Sequence, residues 1–148
     1  MTPKDMEELG GKALGAEDLN LLRKDFPALP RGLEEVLSKW PLVGLKFSLD
    51  DEADKSEMGA EIQWMTPEQM LSEARDVFPG IIAVKRGYIP VGMCLEGSGD
   101  SYFYRAKDGA IVRVPHDAGT EEELDEGQIE VVTKSVKDLI DKAEVEGP

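Results

Sequence analysis

Between residues 81 and 114 the chain breaks into four short apolar runs, 81–84, 91–96, 101–106 and 110–114, each closed by turn-forming residues. Runs of this length separated by turns build antiparallel sheets, because a hairpin joins two neighbours directly whereas parallel strands need long crossovers. Three of the runs form a meander. Asp108-Gly109 supplies the positive φ angles of a tight two-residue hairpin, and Gly97-Ser98-Gly99-Asp100 gives the preceding turn similar freedom.

Amphipathic stripes surround this sheet. Leu19, Leu22 and Phe26 mark a short helix that stops at Pro27, and Leu33, Val36, Leu37 and Trp40 mark a second that stops at Pro41, with Trp40 toward the core. Leu45, Phe47 and Leu49 alternate as in a strand buried on one face, and Ile62 and Trp64 suggest another. Thr66-Pro67-Glu68-Gln69 reads as a capping box, with Met65 and Met70 spaced as a hydrophobic staple and Pro79-Gly80 as the stop. Residues 128–132 suit an edge strand, and Ser135 caps a last helix presenting Val136, Leu139, Ile140 and Ala143. The order implies an α+β fold, a predominantly antiparallel sheet with helices packed on it. With 148 residues, one domain is expected over 16–148, preceded by a flexible arm at 1–15 that carries Thr2, Pro3, Gly10, Gly11 and Gly15 with little periodic apolar spacing.

Charge narrows the partners. A net charge of −14 repels phosphate backbones and anionic headgroups, which argues against nucleic acid and membrane surfaces. No secretory or membrane-spanning apolar segment is present, so a cytoplasmic protein is expected. One cysteine and one histidine exclude an internal disulfide and a nitrogen–sulfur zinc site, and no cofactor or metal is implied. The charge is also concentrated, since residues 50–61 carry −5 and residues 117–130 carry −7. Both stretches read as solvated loops. Asp50, Asp51, Glu52 and Asp54 in the first, with Glu121, Glu122, Glu123, Asp125 and Glu126 in the second, are the candidate contacts for a basic protein partner. Clustered on one face, the two loops would steer such a partner and mimic a nucleic-acid backbone.

Candidate chemistry is sparse. Asp50, Glu52, Asp54 and Glu61 fall at positions 1, 3, 5 and 12 of a calcium-loop template, but Lys55 stands where that loop requires Gly. Gly97-Ser98-Gly99 lacks the Lys and helix start of a phosphate loop. His116 beside Asp117 could orient a base, and Ser101 or Cys94 could be a nucleophile, yet no catalytic signature surrounds them, and Cys94 reads as a small buried hydrophobe. Asp100 reads as a turn-forming carboxylate, and Tyr102, Phe103 and Tyr104 as packing on alternate faces. A non-catalytic binding domain is preferred over a small carboxylate- or metal-dependent hydrolase.

The succession of pieces over residues 16–143 resembles the SMI1/KNR4 superfamily, also called SUKH, whose members include bacterial toxin-immunity proteins. The resemblance rests on four pieces. They are Leu29-Pro30 with the helix through Leu37 and Trp40, Pro79-Gly80-Ile81-Ile82-Ala83-Val84 as the strand opening the central sheet, the Gly99-Asp100 turn before Tyr102-Phe103-Tyr104, and the strand from Gly109 to His116. Trp40-Pro41-Leu42-Val43-Gly44 departs from the family's polar turn, and the acidic segment 50–61 is unusual for it. The resemblance implies a SUKH-like fold and protein binding in place of catalysis, most concretely neutralisation of a cognate cytosolic toxin such as a nuclease. It also covers housekeeping regulatory or scaffold proteins. Trp40, Gly99, Asp100 and Tyr102 would then be structural.

Overall fold

The computed structural model describes all 148 residues. In chain order the elements are α1 (Pro3–Glu8), α2 (Ala16–Asp25), α3 (Arg31–Lys39), β1 (Lys46–Leu49), β2 (Ala60–Trp64), α4 (Pro67–Asp76) and α5 (Gly80–Lys85). There follow β3 (Tyr88–Cys94), β4 (Tyr102–Arg105), β5 (Ile111–Arg113), β6 (Glu130–Thr133), α6 (Val136–Lys142) and β7 (Glu144–Glu146). The seven strands form one antiparallel sheet, ordered β6-β5-β4-β3-β2-β1-β7 and curled into a half-barrel with helices packed on it. The α+β architecture is therefore the one expected.

Period-two alternation sorts the strand residues onto two faces. Phe47, Ile62, Trp64, Ile89, Tyr102, Tyr104 and Ile111 join the larger core, closed by Met6 of α1, Leu22 of α2, Leu33 and Leu37 of α3, Met70 of α4 and Leu139 of α6. On the opposite face Tyr88, Phe103, Val112 and Val114 form a smaller core with Ala83 of α5 and with Ala118, Leu124 and Ile129 of the 117–130 loop. The expected helix caps are present. Thr66 and Gln69 close a capping box on α4, and Ser135 Oγ accepts from Asp138 N at 3.0 Å at the start of α6.

Several expectations are corrected. Residues 81–84 are not a strand but most of α5, so that piece of the family resemblance does not hold as read. Four consecutive apolar residues fit a buried helix as well as a strand. The choice is made by Gly80, which lets α5 lie so close to α4 that a Cβ there would meet Glu73 O at 1.9 Å. Strand β3 accordingly begins earlier than expected, at Tyr88, and carries Pro90 beside a register shift. The β4–β5 connection is not a two-residue turn. Arg105 and Ala110 pair across a longer loop in which Gly109 alone has positive φ (78°), while Asp108 accepts from Ala110 N at 3.1 Å. The polar C-terminus adds β7 beside β1, an edge strand whose Glu144 and Glu146 are exposed.

Nor are residues 1–15 a loose arm. Thr2 and Asp5 form a capping box on α1, and Met6 is fully buried beside Leu14 in the larger core. Lys12 and Val43 exchange backbone hydrogen bonds of 3.2 and 3.1 Å. Chemical denaturation of Met6→Ala is expected to show a loss of about 2–5 kcal/mol, the cost of emptying a buried methionine site. A change within about 0.5 kcal/mol, as for an exposed residue, would contradict the packing of α1.

Candidate functional site

In β5, Arg113 shares its face with Ile111, so strand alternation aims a guanidinium into the larger core. Only 4% of the residue is exposed. Left alone there it would be costly, and the acidic segment 50–61 supplies what satisfies it. Nη1 donates to Ser56 Oγ at 2.8 Å, and Nη2 donates to Asp54 Oδ2 at 3.2 Å, to Gly59 O at 2.7 Å and to the Tyr102 hydroxyl at 3.4 Å. The guanidinium carbon also sits 5.4 Å from the Tyr102 ring centroid. Burial pulls the Arg113 pKa down, but its bonds to Tyr102 and Asp54 leave it raised overall, while burial pushes Tyr102 up to about 12. Both therefore keep one protonation state across the physiological range.

Residues 50–61 thereby become a strap across the sheet, and the expected fully solvated loop is corrected at its centre. Asp54 is 1% exposed and engaged, with Oδ1 accepting from Ser56 N and Oγ at 2.7 Å each, so it is removed from the candidate contacts. Lys55 N donates to Val132 O at 2.9 Å, tying the strap to β6. Asp50 Oδ1 accepts from Glu52 N and Ala53 N, turning the chain away from β1. What remains exposed is Asp50, Asp51, Glu52, Lys55, Glu57, Met58 and Glu61, with Met58 63% exposed although its Sδ lies 3.7 Å from Arg113 Nη1. Glu57 has φ 65°, the one non-glycine residue of the chain in that region, a conformation that persists only where surrounding contacts hold it.

The second acidic loop is anchored elsewhere. Ala118, Leu124 and Ile129 pack into the smaller core, whereas Ala53 of the strap packs on the larger one, so the two loops attach to opposite faces of the sheet. Thr120 turns the chain through Glu123 N at 3.1 Å, leaving Glu121, Glu122 and Glu123 exposed. Asp125 accepts from Gly127 N and Gln128 Nε2, and Glu126 Oε1 accepts from the Tyr88 hydroxyl at 2.7 Å. Desolvation, with Glu126 beside it, lifts the Tyr88 pKa to about 12.

The remaining candidates disperse. His116 Nδ1 lies 2.9 Å from Asp100 Oδ1, which also accepts from His116 N at 2.8 Å, so its partner is Asp100 and not Asp117. The Asp100 hydrogen bond and charge raise the His116 pKa. Cys94 is half-buried with Sγ 3.1 Å from Ser98 Oγ, and Ser101 Oγ donates to Glu73 Oε1 at 2.7 Å, so neither nucleophile candidate is bonded to the imidazole. The calcium-template carboxylates do not converge into a cluster able to hold a metal ion. Among the family-motif positions, Tyr102 is fully buried under Arg113, Gly99 has φ 80°, and Trp40 is half-buried with Lys137 Nζ 5.5 Å from its ring centroid. No helix is long and apolar enough to cross a membrane. Arg113 and Ser56 were the residues sequence reasoning missed. The available signal was a charged residue at the same strand parity as Ile111. Scanned against family models the chain matches none, and no curated protein matches it.

Two outcomes test this site. Arg113→Met strands Asp54 without its counter-ion and is expected to cost about 3–5 kcal/mol in urea unfolding, most of it recovered in the Arg113→Met, Asp54→Leu double variant. Additive losses would mean the two are not coupled. By proton NMR His116 is expected to titrate above its ordinary value of 6.5, and Asp100→Asn to bring it back down. Because the folded pKa is the raised one, the pair's contribution is fully present below the unfolded value and fades as pH rises through the folded one. Identical titrations in both proteins would remove the pairing.

Proposed function

We propose that this chain is a non-catalytic protein-binding domain that captures a basic partner on the outward acids of the 50–61 strap. The observation that carries the reading is the anchoring of that strap. The buried Arg113 contacts fix Asp54, Ser56 and Gly59, so the exposed Asp50, Asp51, Glu52 and Glu57 are presented from a held backbone. Binding then loses little conformational freedom, and an acidic surface raises the encounter rate with a cationic partner. The SUKH resemblance makes the specific form an immunity protein, cytosolic, that neutralises a cognate toxin by direct binding. A second reading, a regulatory scaffold of the same kind, is favoured by the opposite-face anchoring of the two acidic loops, which offers two separate surfaces.

Affinity capture from the source cells at low and high salt, followed by binding measurements with the partner found, tests this. The expected partner is basic, bound more weakly at high salt, and at least tenfold more weakly by Asp51→Asn, Glu52→Gln. Protection of cells expressing the partner would support the immunity form. An acidic or neutral partner whose binding ignores these substitutions would overturn the reading. Equal sensitivity of two different partners, one to the strap and one to Glu121→Gln, Glu122→Gln, Glu123→Gln, would favour the scaffold.

A further inference from the structure

At one end of the sheet, Phe26, Pro27 and Ala28 of the α2–α3 connection meet Val84, Ile89 and Ala106 around an apolar crevice of about 150 Å³. A cavity of that order holds a benzene-sized group. Its charge setting is the reverse of the acidic loops. Lys85 and Arg86 lie between the crevice residues Val84 and Gly87, and Lys107 follows Ala106. Gly87 O accepts from Ala106 N at 2.8 Å, so the two cation-bearing turns are joined.

All three cations are exposed, and none is within ion-pair distance of a carboxylate. Two neighbouring acids are each within ion-pair distance of another cation. Asp25, which also lines the crevice, pairs with Arg75, and Asp108 of the adjoining turn pairs with Arg105 at 2.7 Å. In a chain of net charge −14, the turns that bear Val84, Gly87 and Ala106 of the recess thus carry three exposed cations with no carboxylate partner.

We propose that this crevice docks an acidic peptide segment bearing one large apolar side chain. The side chain would fill the recess while its flanking carboxylates meet Lys85, Arg86 and Lys107. Apolar contact supplies affinity and opposite charge supplies orientation and selectivity. The surface is independent of the strap and has the opposite preference, so either can fail without the other.

The test is an NMR titration of the full chain with the peptide acetyl-Asp-Glu-Phe-Glu-Asp-amide and with its Ala-for-Phe counterpart. Saturable shifts are expected at the Gly87, Ile89 and Ala106 amides, with at least fivefold weaker binding of the Ala peptide. The charge-reversed variant Arg86→Glu, Lys107→Glu alters exposed side chains, so an unchanged spectrum reports its fold, and it is expected to bind at least fivefold more weakly. No saturable shift, equal affinity for the two peptides, indifference to charge reversal, or shifts centred elsewhere would overturn the proposal. Shifts at these amides that grow with protein concentration without peptide would assign the crevice to a second copy of the chain and overturn it equally.

Discussion

A guanidinium buried in the face of a sheet has to be satisfied by whatever the chain can bring to it, and around Arg113 the chain brings a loop. Removing a charged group from water carries an effective penalty of several kcal/mol, recovered only where geometry and hydrogen bonds are good. Here the recovery comes from Asp54, Ser56, Gly59 and Tyr102 together. An acidic segment that would otherwise repel itself into solvent is drawn over β5 and fastened to β6 through Lys55 N. The outward carboxylates and the left-handed Glu57, whose N donates to Asp54 O at 2.9 Å, are carried on that attached segment.

Charge then organises the molecule into regions of opposite preference. Two acidic loops are rooted in separate cores on opposite faces of one curled sheet, and the exposed cations Lys85, Arg86 and Lys107 lie on the turns that follow α5 and β4. The edges of the sheet carry their own protection. β7 is three residues long with two exposed glutamates, and Val132 O of β6 is occupied by the strap.

Where local chemistry dictated structure, the sequence was readable. Thr66-Pro67-Glu68-Gln69 and Ser135 specify helix starts through their own side chains, and Leu45, Phe47 and Leu49 alternate because one face must be buried. It was not readable where a distant partner decides. Residues 81–84 became helical because Gly80 fits against Glu73, and Val145 became part of a strand because β1 had a free edge. Asp54 looked like its acidic neighbours, and nothing in the loop distinguishes it from them. Its partner lies 59 residues away, on a strand whose two faces are both buried.

Native-state hydrogen exchange measures most directly whether Arg113 holds the strap. In the unaltered protein the amides of Lys55 and Ser56, bonded to Val132 O and Asp54 Oδ1, should exchange slowly for residues on an acidic surface segment. In Arg113→Met these two should lose at least tenfold in protection while Phe47 and Ile62 in β1 and β2 keep theirs. Protection of the strap that is unchanged by the substitution, or already absent without it, would contradict the account.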